Sequence, residues 1–215
     1  MSLLQVENLG LRFDEGWVFR NLSFALDQGE ALAITGASGS GKTTLIRTLL
    51  GLLDPTEGQI YLQDKPWSPL PEARRRPRRR LFQAVFQEPL ASLPPHRTGW
   101  EILEEPLVIH RQGDANTWRE AARAMAARVK FPEACLAQLP AQWSGGLAQR
   151  LSLARSLMLG PKVLALDEPL SALDPTLASH LLALLLELKT EGLALLFVSH
   201  DPKASARLCD REIRL

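Results

Sequence analysis

Cysteine and long apolar runs are scarce in this chain of 215 residues. Only two cysteines occur, Cys135 and Cys209, and their spacing fits neither a metal-ligand pair nor a disulfide framework. The longest apolar run, residues 181–186, stops at Glu187, far short of the roughly 20 apolar residues that a membrane-spanning helix needs. These absences predict free thiols in a reducing compartment, and they exclude a disulfide-rich secreted scaffold and a membrane span.

A surplus of one charge is also missing. The chain has 25 lysines and arginines against 24 aspartates and glutamates, which gives a net charge of +1. A protein that binds phosphate backbones over a wide surface is expected to be strongly basic, so nucleic acid is not the expected direct partner. Residues 1–7 lack a basic region followed by an apolar core, so no secretory signal peptide is predicted and the cytosol fits.

A glycine-rich segment near the N-terminus is the first chemical motif. Residues 36–43, GASGSGKT, match the pattern G-x-x-x-x-G-K-[ST] and lie between an apolar strand at 31–34 and a helix-like pattern at 45–50. Such loops surround phosphate oxygens with backbone N–H groups, while the lysine reaches the β and γ phosphates and the threonine hydroxyl binds magnesium. A flexible Gly/Ser turn is the alternative. The predicted phosphate-contact residues are Gly36, Ser38, Gly39, Ser40, Gly41, Lys42, Thr43 and Thr44.

A second helix start lies about a hundred residues later. Ser144, Gly145 and Gly146 open the amphipathic run 147–158. A serine followed by glycines at a helix N-terminus leaves backbone N–H groups free to meet an anion. The sequence therefore predicts two anion-binding helix starts but only one phosphate-loop lysine.

Two carboxylates follow the apolar strand at 163–166. A buried parallel strand would deliver Asp167 and Glu168 to its C-terminal edge, where ligands bind in open α/β sheets. We expect Asp167 to hold magnesium, directly or through water. We expect Glu168 to orient and deprotonate the water that attacks the γ phosphate. The alternative is that both acids are merely solvated at a strand end.

His200 and Gln87 are the remaining catalytic candidates. His200 follows the last apolar strand, 193–198, and there it can bond the γ phosphate or hold the water and Glu168 in line. A structural histidine is the alternative. Gln87 follows the strand at 81–86 and is predicted to touch magnesium or water, although a surface glutamine would look the same.

The chain divides into three patterns within one predicted α/β domain. Residues 1–30 carry the short alternating runs of a half-exposed antiparallel sheet. Residues 30–87 and 160–215 contain the strands and helices of a nucleotide-binding core, to which we assign the strand at 58–62. Residues 88–159 are helical and alanine-rich, and they form an insertion into that core.

The order of these motifs closely resembles that of the ATP-binding cassette (ABC) ATPases over practically the whole chain. The matching elements, in chain order, are the phosphate loop, Gln87, the Ser-Gly-Gly signature, Asp167 with Glu168, the segment 171–174 and His200. The resemblance implies a P-loop NTPase fold with a RecA-like core, an N-terminal antiparallel β subdomain and an inserted helical subdomain. It also implies hydrolysis of ATP with Mg²⁺.

The resemblance further implies a site shared by two subunits packed head to tail. Each ATP is expected to lie between Lys42 of one subunit and the signature segment 144–146 of another, while Asp174 communicates across the interface. Phe13, at the usual aromatic position before the first hairpin, is expected to stack on adenine. Trp17 is the nearby alternative.

A narrower resemblance covers residues 87–98 and 101–107, which are similar to the ATPases of dipeptide, oligopeptide and nickel or metallophore importers. Glu88 and Pro94 stand where those ATPases have aspartate and asparagine. The resemblance implies a place on the cytoplasmic side of the membrane, with transmembrane permease subunits, a second ABC ATPase and an extracytoplasmic solute-binding protein as partners. An exporter or signalling cassette, or a non-transport ATPase acting on nucleic acid or the ribosome, is the alternative.

Two local departures leave questions open. Trp143 and Leu147 stand in the signature where leucine and glutamine are usual, which leaves open whether both sites of a dimer are equally active and whether the dimer is homomeric. The arginine run 74–80 suits a nucleic acid or an anionic lipid surface. Because Pro77 interrupts it and the overall charge is balanced, we expect a solvated surface instead.

Overall fold

The computed structural model describes residues 2–215 and builds its strands into two sheets. The strands are β1 (Ser2–Phe13), β2 (Gly16–Asp27), β3 (Ala31–Thr35), β4 (Glu57–Leu62), β5 (Lys65–Ser68), β6 (Phe82–Val85), β7 (Val163–Asp167), β8 (Ala194–Val198) and β9 (Arg211–Arg214). Strands β2-β1-β4-β5 form an antiparallel sheet in that order, and β6-β7-β8-β3-β9 form a parallel sheet.

Helices cover the parallel sheet and fill the segment between β6 and β7. They are α1 (Lys42–Leu49), α2 (Glu72–Arg75), α3 (Pro89–Ser92), α4 (Gly99–Ile109), α5 (Ala115–Arg128), α6 (Gly145–Leu157), α7 (Pro175–Thr190) and α8 (Pro202–Leu208), with 3₁₀ turns at Arg76–Leu81, Glu133–Ala137 and Pro140–Gln142. From residue 2 to residue 215, none of these helices has both the length and the apolar character that crossing a bilayer requires.

The central strands of the parallel sheet are buried on both faces, as their apolar residues predict. Every residue of β7 and β8 is buried. Alternate side chains enter two separate cores: Leu164 and Leu166 pack with α4 to α7, whereas Val163 and Ala165 pack with α1 and the antiparallel sheet. This double burial fixes the C-terminal ends of the strands, at which the candidate functional residues lie.

The antiparallel sheet extends beyond residues 1–30. Strand β4 pairs with β1, with Val6 opposite Ile60 and Leu4 opposite Leu62, and β5 continues the sheet. The assignment of residues 58–62 to the nucleotide-binding core is therefore wrong. Ile60 and Leu62 are buried while the residues beside them are not, which is the alternation of a sheet with one covered face rather than the continuous burial of a parallel strand.

The arginine run 74–80 is only partly a solvated surface. Arg75 is buried, and its guanidinium donates to Asp54 at 3.1 Å. Arg78 donates to backbone carbonyls of the β4–β5 hairpin and lies 5.8 Å from the ring centroid of Trp67. Arg75 thus holds the segment before β4, and Arg78 holds the β4–β5 hairpin. The expectation of a solvated surface holds for the exposed arginines around them.

Helix caps and an aromatic pair stabilise the part of the helical insertion that precedes the signature segment. Thr98 and Asp114 cap the N-termini of α4 and α5 with their side-chain oxygens. Phe131 and Trp143 meet edge to face, with ring centroids 5.5 Å apart, and the indole is buried. Trp143 therefore anchors the loop immediately before Ser144.

Candidate functional site

The loop between β3 and α1 is shaped by its glycines. Gly39 and Gly41 have φ values of +79° and +97°, in the left-handed region that favours glycine. A Cβ atom on Gly41 would lie 2.4 Å from Val18 of β2, so a side chain has no room there. Because Gly41 directly precedes α1, the loop presents the free N–H groups of that helix at the C-terminal edge of the sheet.

Lys42 is folded over the same loop. Its Nζ atom donates to the carbonyl oxygens of Gly36 and Ala37, at 3.0 and 2.8 Å. These bonds hold the ammonium group beside the N-terminus of α1. A positive charge next to free helix N–H groups is an arrangement that attracts an anion.

Thr43 and Asp167 meet across the edge of the sheet. The Thr43 Oγ1 atom donates to Asp167 Oδ2 at 2.5 Å, and Asp167 is buried at the end of β7. Hydroxyl, carboxylate and amide oxygens are hard donors that suit Mg²⁺, and Gln87 brings an amide to the same cavity. Residues 2–215 contain no cluster of three or more His, Cys, Asp or Glu side chains that could hold a metal alone. A magnesium ion therefore fits here together with phosphate oxygens.

Glu168 turns the chain sharply after β7. Its φ is +53°, a left-handed conformation that is uncommon for a residue with a side chain. The turn is held because the Glu168 N–H donates to the Val198 carbonyl at 3.0 Å and the Glu168 carbonyl accepts from the Ser171 hydroxyl at 2.9 Å. Strain of this kind is kept where the neighbouring structure fixes it, often at functional sites.

The Glu168 side chain is buried, and one of its two carboxylate oxygens accepts no hydrogen bond from the described part of the chain. Among residues 2–215, Oε1 has no hydrogen-bond partner, although His200 Nε2 lies 3.4 Å away in an unfavourable orientation. Oε2 lies 3.5 Å from the backbone nitrogen of His200, whose side chain is 63% exposed. A buried carboxylate oxygen with free lone pairs can accept a hydrogen bond, and then a proton, from a water molecule.

These side chains line one open cavity of about 220 Å³. Its lining consists of Ser38, Gly39, Gly41, Lys42, Thr43, Thr44, Gln87, Asp167, Glu168, Val198 and His200. Gly36 and Ser40 support the loop instead, since a Cβ atom on Gly36 would lie 2.6 Å from the Ser40 hydroxyl. The structure thus places these predicted site residues around one cavity, and their contacts with phosphate, magnesium and water stay predictions.

The signature segment starts α6 and is separate from that cavity within one chain. Ser144 is the N-cap, and its Oγ accepts from the Leu147 N–H at 3.3 Å. Ser144 and Gly145 are exposed, and a Cβ atom on Gly146 would lie 3.1 Å from the Ala172 carbonyl oxygen. As far as residues 2–215 are concerned, the cavity lining includes none of the three signature residues.

Arg150 and Asp174 fix the surroundings of the signature segment. Arg150 donates to the Gly146 carbonyl at 3.1 Å, and burial lowers the pKa of its guanidinium. Asp174 caps α7 by accepting from the N–H groups of Thr176 and Leu177, each at 3.0 Å. Asp174 thus has a role inside its own chain, and its role across a subunit interface stays a prediction.

Phe13 and Trp17 lie on either side of the β1–β2 turn. Phe13 is 50% exposed and Trp17 is 39% exposed. The guanidinium carbon of Arg20 lies 4.5 Å from the ring centroid of Trp17, so one face of the indole is already engaged. Phe13 offers the freer ring for stacking, and its contact with adenine stays a prediction.

The chain carrying this site is similar to a known protein family. The family described as ABC transporter matches residues 19–171, a span that contains the phosphate loop, the signature segment and the carboxylate pair. The chain belongs to the ABC transporter family. The resemblance inferred from the order of the motifs is confirmed.

Curated relatives of this ABC protein carry the names of import systems. The dipeptide transport ATP-binding protein DppF of Haemophilus influenzae is 38% identical over 190 residues, which are 88% of this chain and 58% of DppF. The oligopeptide transport ATP-binding protein AppF of Bacillus subtilis is 39% identical over 192 residues, with the same coverage. The nickel import ATP-binding protein NikE of Escherichia coli is 38% identical over 223 residues, 98% of this chain and 82% of NikE. The chain thus spans less than two thirds of DppF and AppF.

Solved ABC structures share the architecture. The dimeric structure of MJ0796, a bacterial ABC transporter cassette, has a TM-score of 0.92 and 30% identity, covering 99% of this chain and 94% of that one. A dimeric structure of a post-hydrolysis state of MJ0796, bound to ADP and Pi, has a TM-score of 0.92 and 29% identity. The predicted fold class, a P-loop NTPase with a parallel core, an antiparallel sheet and a helical insertion, is confirmed.

Two residues at the site of this ABC protein were not predicted. Val198 ends β8 and contributes to the cavity lining, and Arg47 lines a neighbouring cavity together with Gln87 and Asp167. Arg47 lies one turn after Thr43 on α1, so helical spacing could have pointed to it. Val198 has the pattern of an ordinary core residue, and no sequence signal marks it.

Proposed function

We propose that this ABC protein binds ATP with Mg²⁺ at the phosphate loop and hydrolyses it to ADP and phosphate. One observation carries the proposal: a lysine, a hydroxyl–carboxylate pair and an unpaired buried carboxylate oxygen face the same cavity. The ADP and Pi in the related MJ0796 structure support the same reaction.

Each group has a distinct task in this proposal. The N–H groups at the start of α1 and the Lys42 ammonium bind the β and γ phosphates. Magnesium, held by Thr43, Asp167 and Gln87 with phosphate oxygens, would neutralise charge that develops on the phosphates. Glu168 Oε1 accepts a hydrogen bond from the attacking water and takes its proton as the water oxygen bonds the γ phosphorus and the bond from that phosphorus to the bridging oxygen of ADP breaks.

His200 completes the arrangement as an orienting group. Its exposed ring lies 3.4 Å from Glu168 Oε1, at the mouth of the cavity. A small rotation of this ring would let it donate to the γ phosphate while Glu168 keeps the water in line. Gln87, also exposed, is free to turn toward the same phosphate.

A complete site is proposed to need a second subunit. The exposed helix start at 144–146 carries free N–H groups but lies outside the phosphate cavity of its own chain. Facing the γ phosphate bound to another subunit would satisfy those groups. The dimeric structures of the related MJ0796 cassette support the need for a second subunit.

The proposed role is to power import through a membrane. The names of DppF, AppF and NikE, together with the similarity at residues 87–107, support peptides, nickel or metal chelates as cargo. The partners would be permease subunits, a second ABC ATPase and an extracytoplasmic solute-binding protein. The chain would then act on the cytoplasmic face of the membrane.

The decisive experiment is nucleotide binding by Lys42→Ala, measured by isothermal calorimetry with Mg²⁺. Loss of a charge-assisted phosphate contact should weaken ATP binding by roughly tenfold to a hundredfold or more. Lys65→Ala, at the exposed start of β5, is the matched control and should bind normally. Equal affinity of Lys42→Ala and the unmodified protein, at equal melting temperature, would refute the phosphate-binding role.

A further inference from the structure

Helix α6 carries a line of buried polar side chains that the proposed chemistry does not use. Gln149, Ser152 and Ser156 are all buried, and their spacing puts them on one face of the helix. Ser156 Oγ donates to the Ala84 carbonyl of β6 at 3.0 Å, so this face lies against β6. The line therefore runs between the signature helix and the strand that leads to Gln87.

Gln149 is the unusual member of the line. Its side chain is completely buried, and neither Oε1 nor Nε2 has a hydrogen-bond partner among residues 2–215. An amide buried without partners is costly, and an apolar side chain of similar shape would be better tolerated at such a position. A buried group of this kind needs an explanation, and one explanation is a hydrogen-bond partner that is engaged in another state of the protein.

The direction of α6 places Gln149 level with the Gln87 segment. Helix α6 leads into β7, which is parallel to β6, and a helix that connects parallel strands runs antiparallel to them. Moving toward the N-terminus of α6 therefore corresponds to moving toward the C-terminal end of β6. Gln149 lies two turns before Ser156, which is about 10 Å along the helix or about three residues along a strand. Counting three residues on from Ala84 reaches Gln87. Helix α6 also packs against α3, which begins directly after Glu88.

We propose that Gln149 is a positioning residue that hydrogen-bonds the backbone of the Gln87–Glu88 segment when Gln87 turns toward the bound phosphate and magnesium. One amide can donate to a carbonyl and accept from an N–H, which matches a backbone peptide group. The bond would link the magnesium side of the site to the signature helix within one chain. The inference rests on the proposed ATPase function, because bound nucleotide is what draws Gln87 inward.

The test compares Gln149→Met with the unmodified chain, since methionine keeps the length of the side chain and removes both hydrogen-bonding groups. Hydrogen–deuterium exchange of peptides covering residues 83–93 is measured with and without Mg-ATP, in chains that also carry Glu168→Gln so that ATP is not consumed. The kcat and KM values are measured in chains that keep Glu168. We expect a melting temperature at least as high as that of the unmodified chain and an unchanged ATP affinity. The ATP-induced protection of 83–93 should disappear, and kcat should fall about tenfold, the effect of one hydrogen bond.

Gln28→Met, at an exposed position, is the control and should change neither exchange nor kcat. Normal kcat and normal ATP-induced protection in Gln149→Met would overturn the inference. If Gln149→Met and a second variant, Gln149→Leu, both melt early, the amide is bonded in the nucleotide-free fold and the inference also fails. If the unmodified chain neither hydrolyses ATP nor gains protection, the proposed function fails instead, so the two failures are distinct.

Discussion

Thr43 Oγ1 and Asp167 Oδ2 lie 2.5 Å apart, although their residues belong to a helix start and a strand end that are far apart in the sequence. Two oxygen ligands are thus set next to each other by the fold before any cation binds. Asp167→Asn keeps the shape and can still accept from Thr43, but it removes the negative charge. We expect the Mg²⁺ concentration for half-maximal ATP hydrolysis to rise by roughly tenfold to a hundredfold. A magnesium titration of phosphate release checks this, and an unchanged midpoint would exclude Asp167 as a magnesium ligand.

Replacing Glu168 by glutamine should separate nucleotide binding from hydrolysis. The amide keeps the buried shape but cannot take a proton from water, so we expect turnover to fall by roughly 100-fold to 10,000-fold. Single-turnover phosphate release measures the rate, and calorimetry should find ATP affinity unchanged. Glu191→Gln, at the exposed C-cap of α7, serves as the control. Normal turnover in Glu168→Gln would mean that another group activates the water.

A bulky cation at the signature should block assembly without disturbing the nucleotide pocket. Ser144→Arg removes the N-cap hydroxyl, which costs about 1 kcal/mol, too little to unfold a domain. We expect normal ATP binding to the monomer and no ATP-driven dimer in a Glu168→Gln background, measured by light scattering. Ala124→Arg, on the exposed face of α5, should dimerise like the parent. A dimer that still forms with Ser144→Arg contradicts the head-to-tail arrangement.

Asp210 predicts a specific pH dependence of stability. Burial raises the pKa of its carboxyl, but the bonds from the Ala31 N–H and the Lys189 ammonium outweigh burial, and the net pKa is lowered. A lowered folded-state pKa stabilises the protein above the unfolded value near 4, and that contribution is lost as pH falls through the folded pKa. Because the carboxylate is 47% exposed, screening limits the ion pair to at most about 1 kcal/mol.

Asp210→Asn should therefore have a lower melting temperature than the unmodified chain at pH 7. The difference in melting temperature should shrink as pH is lowered below about 4. Melting curves across this range measure the effect. Asp14→Asn, at an exposed turn, should show no such trend. A constant difference between Asp210→Asn and the parent at all pH values would assign the effect to packing rather than charge.

Motifs with a local context were predictable, whereas contacts between distant segments were not. The phosphate loop could be placed because strand, glycine turn and helix follow one another in the chain, and the Asp167-Glu168 pair because it directly follows an apolar strand. The error at β4 arose from chain order, although the alternation of Ile60 and Leu62 carried the correct signal. Arg75 and Gln149 are buried because segments distant in the sequence pack against them. A single sequence does not show which distant segments meet, so their burial was not predicted.

The buried indole of Trp143 is an intrinsic fluorescent probe of the signature segment. It stands directly before Ser144, donates to the Cys135 carbonyl at 3.3 Å and meets the Phe131 ring at a near-perpendicular angle. Because tryptophan emission responds to the polarity around the ring, a variant in which the other tryptophans are replaced by phenylalanine would follow movements of this end of α6 in real time. No attached dye is needed, and the fluorescence would record when a neighbouring subunit closes over the segment.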